Sequence, residues 1–212
     1  GHGSSSCPYS SDGAEAAVQV AAEILAEMLH DDIRKDDNRL QRQIEAGWKD
    51  AVEKLHTAKE REEPFEYILY GTTLIAVAAS DKFIFALQIG DGNILMMNGS
   101  KAEPVLAIEE SVGEDTESLC LNNAWTFVRT QIIPWDDKSG AEMFLLSTDG
   151  YANSFSDSSG FIKAGEDFYK LWKNEGLSYI DENLEGWLRR SSDKGSGDDI
   201  AIALLAFKKE AK

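Results

Sequence analysis

The chain has 212 residues and a 42% hydrophobic fraction, enough for one large domain with a substantial core. Its 38 acidic residues against 21 basic ones give a net charge of −17, which repels a phosphate backbone and argues against nucleic acid as a partner. No apolar run approaches the roughly 20 residues that cross a bilayer, and the only two cysteines, Cys7 and Cys120, lie far apart in sequence, supporting neither a disulfide framework nor a zinc site.

A soluble protein of a reducing, cytoplasmic compartment, with no membrane partner, is therefore expected. Most of the acidic surplus reads as a solubilising surface. With only three histidines, His2, His30 and His56, a metal site would be built from carboxylates, which select hard ions such as Mg²⁺ or Mn²⁺.

From Gly13 the apolar positions Ala17, Val20, Ala21, Ile24, Leu25, Met28 and Leu29 recur at helical spacing, with Ser11 or Asp12 placed to cap the start. Leu40, Ile44, Trp48, Val52 and Leu55 repeat the pattern in a charged background, predicting a second amphipathic helix that ends before Pro64. Short apolar runs at 67–79, 83–89 and 93–97 follow, separated by Ser80-Asp81 and Gly90-Asp91-Gly92, and read as successive antiparallel strands. Further strands are predicted at 125–133 and 143–147, helices at 168–173 and 180–190, and a last strand at 200–207 (IAIALLAF). This order predicts an α+β sandwich in one domain, not a parallel βαβ array.

Three strand ends carry aspartate beside glycine: Asp91 in IGDGN, Asp149 in LLSTDGY, and Asp198 with Asp199 in GSGDDIAI. Each alone is an ordinary turn signal. Together they offer carboxylates from three distant loops, the donor type that a hard metal needs. His30 and His56 read as solvated residues near helix ends. The five tryptophans and Tyr151 read as packing residues. Gly71-Thr72-Thr73 lacks the lysine of a phosphate-cradling loop.

Taken in order, GHGSSSCPYSSDGAEAAV, YGTTLIAV, LQIGDGNIL, TESLC, LLSTDGYANSF and GSGDDIAIALL resemble the metal-dependent protein serine/threonine phosphatases of type 2C, in particular a bacterial branch. The resemblance covers nearly the whole chain. It implies a four-layer α-β-β-α sandwich of two antiparallel sheets flanked by helices, with a centre of two Mg²⁺ or Mn²⁺ ions and a looser third. By resemblance Asp149 and Asp198 match metal ligands, and Asp91 matches the aspartate that holds the third ion. Gly1 matches the glycine whose carbonyl touches a metal, Asp199 stands beside the ligand shell, and His2 matches the histidine proposed as general acid. The implied reaction is attack of a metal-activated water on phosphoserine or phosphothreonine, with a phosphorylated protein as substrate and a serine/threonine kinase as the opposing partner in signalling.

The resemblance also implies an aspartate directly before Gly1, preceded by strands. The chain as given starts after them, so weak Mn²⁺ binding and slow or absent turnover are expected of these residues alone. Two other readings stay open: a catalytically inactive phosphatase fold used as a binding module, and an acidic globular domain whose Asp-Gly turns are only turns.

Overall fold

The computed structural model describes residues 2–3, 7–30, 38–108, 116–135 and 140–207. Its first elements are strand β1 (His2–Gly3), helices α1 (Ser10–His30) and α2 (Arg39–Ala58), and strands β2 (Thr72–Ala79), β3 (Phe83–Ile89), β4 (Asn93–Asn98) and β5 (Lys101–Pro104). Then come β6 (Arg129–Pro134), β7 (Ala141–Ser147), helices α3 (Asp149–Ala152), α4 (Ser158–Glu175) and α5 (Leu177–Lys194), and strand β8 (Ile202–Ala206). The strands form two antiparallel sheets, ordered β1-β2-β3-β6 and β5-β4-β7-β8, each with a helix pair against it. This agrees with the α+β expectation. Among the described residues no helix is long and apolar enough to cross a membrane.

The chain divides into two compact units, one of Gly1–Asp91 with Ser111–Ile132 and the other of Gly92–Glu110 with Ile133–Lys212. In the first, Ala17, Ala21 and Leu25 of α1 and Ile44, Trp48 and Val52 of α2 share a buried cluster with Leu74 of β2 and Phe83, Phe85, Leu87 and Ile89 of β3. The helical period on one side meets the two-residue period of the strand on the other. Trp48 is fully buried, and its indole N–H donates to the Gly13 carbonyl at 2.9 Å, so the ring both fills the core and ties α2 to the start of α1.

Several expectations change in this unit. Helix α1 starts at Ser10, so Ser11 and Asp12 lie in its first turn instead of capping it, and the strand expected from 125 starts only at Arg129, after a 3-10 turn at Ala124–Thr126. Residues 67–70 form a 3-10 turn instead of the start of a strand, closed by N–H bonds from Leu69 to the Glu66 carbonyl and from Gly71 to the Ile68 carbonyl. His56 is buried, not solvated: one ring nitrogen pairs with the Tyr70 hydroxyl (3.1 Å) and the other with the Glu63 carbonyl (2.9 Å). The charged sequence around His56 concealed a face of α2 that turns inward among Tyr9, Phe65 and Tyr70. His30 is exposed, as expected.

In the second unit Phe161, Phe168 and Trp172 of α4 and Ile180 of α5 pack with Leu95 and Met97 of β4 and Met143 and Leu145 of β7. Asp157 caps α4 by accepting the Gly160 N–H at 3.0 Å. The two helices exceed their predicted lengths and are divided at Gly176, whose φ of 87° ends one and starts the other. β5 was not predicted, because only Ala102 of its four residues is buried.

Candidate active site

β7 lies between β4 and β8, and its last residue, Ser147, pairs with Asn93 on one side and Ile202 on the other. The chain then leaves the sheet through Thr148, in extended geometry, and Asp149 opens the single-turn helix α3. Thr148 joins this exit to the approach of β8. Its N–H donates to the Ala201 carbonyl (3.0 Å), its hydroxyl oxygen accepts the Ala201 N–H (3.0 Å), and the hydroxyl lies 3.4 Å from the Asp199 carbonyl that it donates to.

These bonds bring the two Asp-bearing loops into contact at Gly150. A Cβ on Gly150 would lie 2.5 Å from the Asp199 carbonyl oxygen and 3.3 Å from the Asp198 Cβ, so only glycine admits this approach. Asp149 is half-buried, with its Oδ1 buried, whereas Asp198 and Asp199 are exposed. The Asp199 N–H donates to Asp198 Oδ1 at 2.8 Å and so fixes that carboxylate.

Serines that the sequence reading missed brace the same corner. Ser192 Oγ donates to the Asp198 carbonyl (2.7 Å), and the Asp198 N–H donates to Ser196 Oγ (3.3 Å). Ser154 Oγ donates to the Gly150 carbonyl (2.8 Å) and lies 3.1 Å from Ser196 Oγ. The only sequence signal for them is the density of serine around the two aspartate motifs.

The other predicted site residues belong to the first unit. His2 pairs with Thr73 and Gly3 with Thr72 in the β1–β2 ladder. Gly1 lies outside the described residues. Asp91 sits in the turn after β3, where Gly90 has φ 88° and a Cβ on it would lie 2.3 Å from Thr73 Cγ2 and 2.9 Å from the Glu117 carbonyl. Thr116 Oγ1 donates to Asp91 Oδ2 at 3.0 Å, and the buried Gln88 amide donates to the Gly90 carbonyl at 2.9 Å. Thr73 thus faces His2 across the ladder and packs on the turn that carries Asp91.

Among the described residues no group of three or more His, Cys, Asp or Glu side chains is placed to hold a metal ion. Asp149 and Asp198 are of the donor type that a hard divalent cation takes, and Mg²⁺ uses one or two carboxylates with water and substrate phosphate completing its shell.

A sequence model of the family described as protein phosphatase 2C matches residues 1–189. The chain belongs to the protein phosphatase 2C family. No curated protein matches significantly. Among solved structures the chain is similar to a bacterial serine phosphatase, with 15% identity, 92% of this chain and 82% of that one covered, and a TM-score of 0.54. It is similar to the catalytic domain of the serine/threonine phosphatase PstP, in complex with two manganese ions, at 17% identity, 90% and 79% coverage and a TM-score of 0.50. A C. elegans sex-determining protein has a TM-score of 0.56 at 14% identity, with 96% of this chain and 53% of that one covered. At such identities the likeness establishes the fold.

Proposed function

We propose that the chain hydrolyses phosphoserine and phosphothreonine on proteins with a water molecule activated at a Mg²⁺ or Mn²⁺ centre. The observation that carries this reading is the contact of the Asp149 and Asp198 loops at Gly150, latched by Thr148 at the end of β7. Family membership supports it, as does the pair of manganese ions in the PstP structure.

In this reading Asp149 and Asp198 are metal ligands, the Gly1 carbonyl is another, and Asp91 serves a looser third ion. Asp199 holds Asp198 in position through its N–H. Divalent ions bound there supply positive charge to the phosphoryl oxygens and lower the pKa of water. His2 protonates the departing serine or threonine oxygen, a task suited to imidazole near neutral pH. The setting is cytoplasmic bacterial signalling, against a serine/threonine kinase.

Hydrolysis of p-nitrophenyl phosphate by the full-length protein, with Mn²⁺ and with EDTA, tests this reading. Mn²⁺-dependent turnover supports it, and a folded protein without turnover at any Mn²⁺ concentration favours the inactive binding module.

A further inference from the structure

Cys7 and Cys120, remote in sequence, both approach Gly71. A Cβ on Gly71 would lie 2.8 Å from Cys7 Sγ and 3.4 Å from Cys120 Sγ. The two sulfurs are therefore no more than about 6 Å apart, against the roughly 2 Å of a disulfide's S–S bond. Both are thiols in the structure. Their meeting follows from two anchors on one stretch of chain. The Tyr9 N–H donates to the Leu69 carbonyl (2.9 Å) and the Ser10 N–H to the Cys7 carbonyl (3.2 Å), which fixes the Cys7 segment. Ser118 Oγ accepts the Thr72 N–H (2.9 Å) and donates to the Thr72 carbonyl (3.0 Å), while the Leu119 N–H donates to the same carbonyl (3.0 Å), which fixes the Cys120 segment.

We propose that Cys7 and Cys120 form a reversible disulfide beside Gly71 that slows the enzyme. The effect on turnover rests on the phosphatase reading, whereas the bond itself does not. Transient, regulatory disulfides are the kind that a reducing compartment permits.

Cys120 is half-buried and Cys7 buried, so Cys120 reacts first with an oxidant such as hydrogen peroxide. Its sulfur attacks one peroxide oxygen, the O–O bond breaks, and sulfenic acid and water result. The Cys7 sulfur then attacks the Cys120 sulfur, the S–O bond breaks, and the hydroxyl leaves with the Cys7 proton as a second water. Two thiols lose two electrons in all, the peroxide gains them, and a dithiol reductant reverses the bond.

The bond would bear on the site through both anchored segments. Cys7 follows the β1 residues His2 and Gly3, which pair with Thr73 and Thr72. Cys120 follows Thr116, which holds Asp91, and Ser118, which holds Thr72. Drawing the sulfurs together beside Gly71 shifts both segments.

The test is peptide mapping of the full-length protein under non-reducing conditions after peroxide treatment, alongside turnover of p-nitrophenyl phosphate. A Cys7–Cys120 linked peptide within one chain is expected, with turnover lowered about tenfold or more, since a misplacement of about 1 Å can cost about 100-fold in rate. Dithiothreitol should reverse both changes. Gly71→Ala, which retains both thiols but puts a methyl group against Cys7 Sγ, should slow linkage about tenfold by spoiling disulfide geometry. Linkage only between chains, sulfinic acid at Cys120 without linkage, equal linkage rates in Gly71→Ala, or linkage with unchanged turnover would each overturn the proposal. If the reduced protein has no turnover, the phosphatase reading fails, and the linked peptide still decides whether the bond forms.

Discussion

Asp198 packs against Gly150, its Cβ 3.3 Å from where a Gly150 Cβ would stand, so the two acidic loops of the second unit meet at a residue without a side chain. Gly150→Ala would force the Asp199 carbonyl, only 2.5 Å from the new methyl group, to retreat and would part the loops. Mn²⁺ affinity measured by calorimetry should fall about tenfold or more, since donors held off their coordination distance bind poorly.

Thr148 holds the same corner by hydrogen bonding alone. Thr148→Val keeps the shape but leaves the Ala201 N–H without the hydroxyl that accepts it, at a cost of about 1–3 kcal/mol. Thr148→Ser should recover most of the loss. Urea denaturation of the three proteins measures the difference.

In the first unit, truncation of Trp48 removes a fully buried ring and its bond to the Gly13 carbonyl. Trp48→Ala should cost about 3–5 kcal/mol, the range for large aromatic deletions. Trp48→Phe keeps most of the packing and loses chiefly the hydrogen bond. Denaturant midpoints should rank wild type above Phe and Phe above Ala.

Acid should weaken the tie between the start of α1 and the segment after α2. Lys59 (2.7 Å) and Arg61 (2.9 Å) both hold Asp12, and the hydrogen bond from Lys59 is the main cause that sets its carboxyl below the ordinary value of 3.8. A native carboxyl with a lowered pKa stabilises the fold fully above the unfolded value, and that stabilisation disappears as pH falls through the native one. Stability followed from about pH 5 to pH 2 should drop less steeply in Asp12→Asn than in the wild type.

What the sequence made legible were features that repeat or bound an apolar run. β3 and β7 announced themselves by apolar runs, and the segments that follow them carry Asp91 and Asp149. His56 was not legible, because its partners Tyr70 and Glu63 come from the segment after α2, whose position relative to that helix only tertiary packing sets. Ser154, Ser192 and Ser196 escaped for the same reason, since a serine that braces a loop is spelled like a serine in water. The pairing of Cys7 with Cys120 was hidden by sequence distance and emerges only through their common neighbour, Gly71.

Phosphate release from a phosphothreonine peptide by the full-length protein and its Asp149→Asn variant tests the central claim most directly. The substitution removes charge and not volume, so the fold should persist by circular dichroism. The account predicts Mn²⁺-dependent release in the wild type and a loss of about 100-fold or more in the variant, as expected when charge stabilisation of the transition state is removed. Equal Mn²⁺-dependent rates in the two proteins would contradict it.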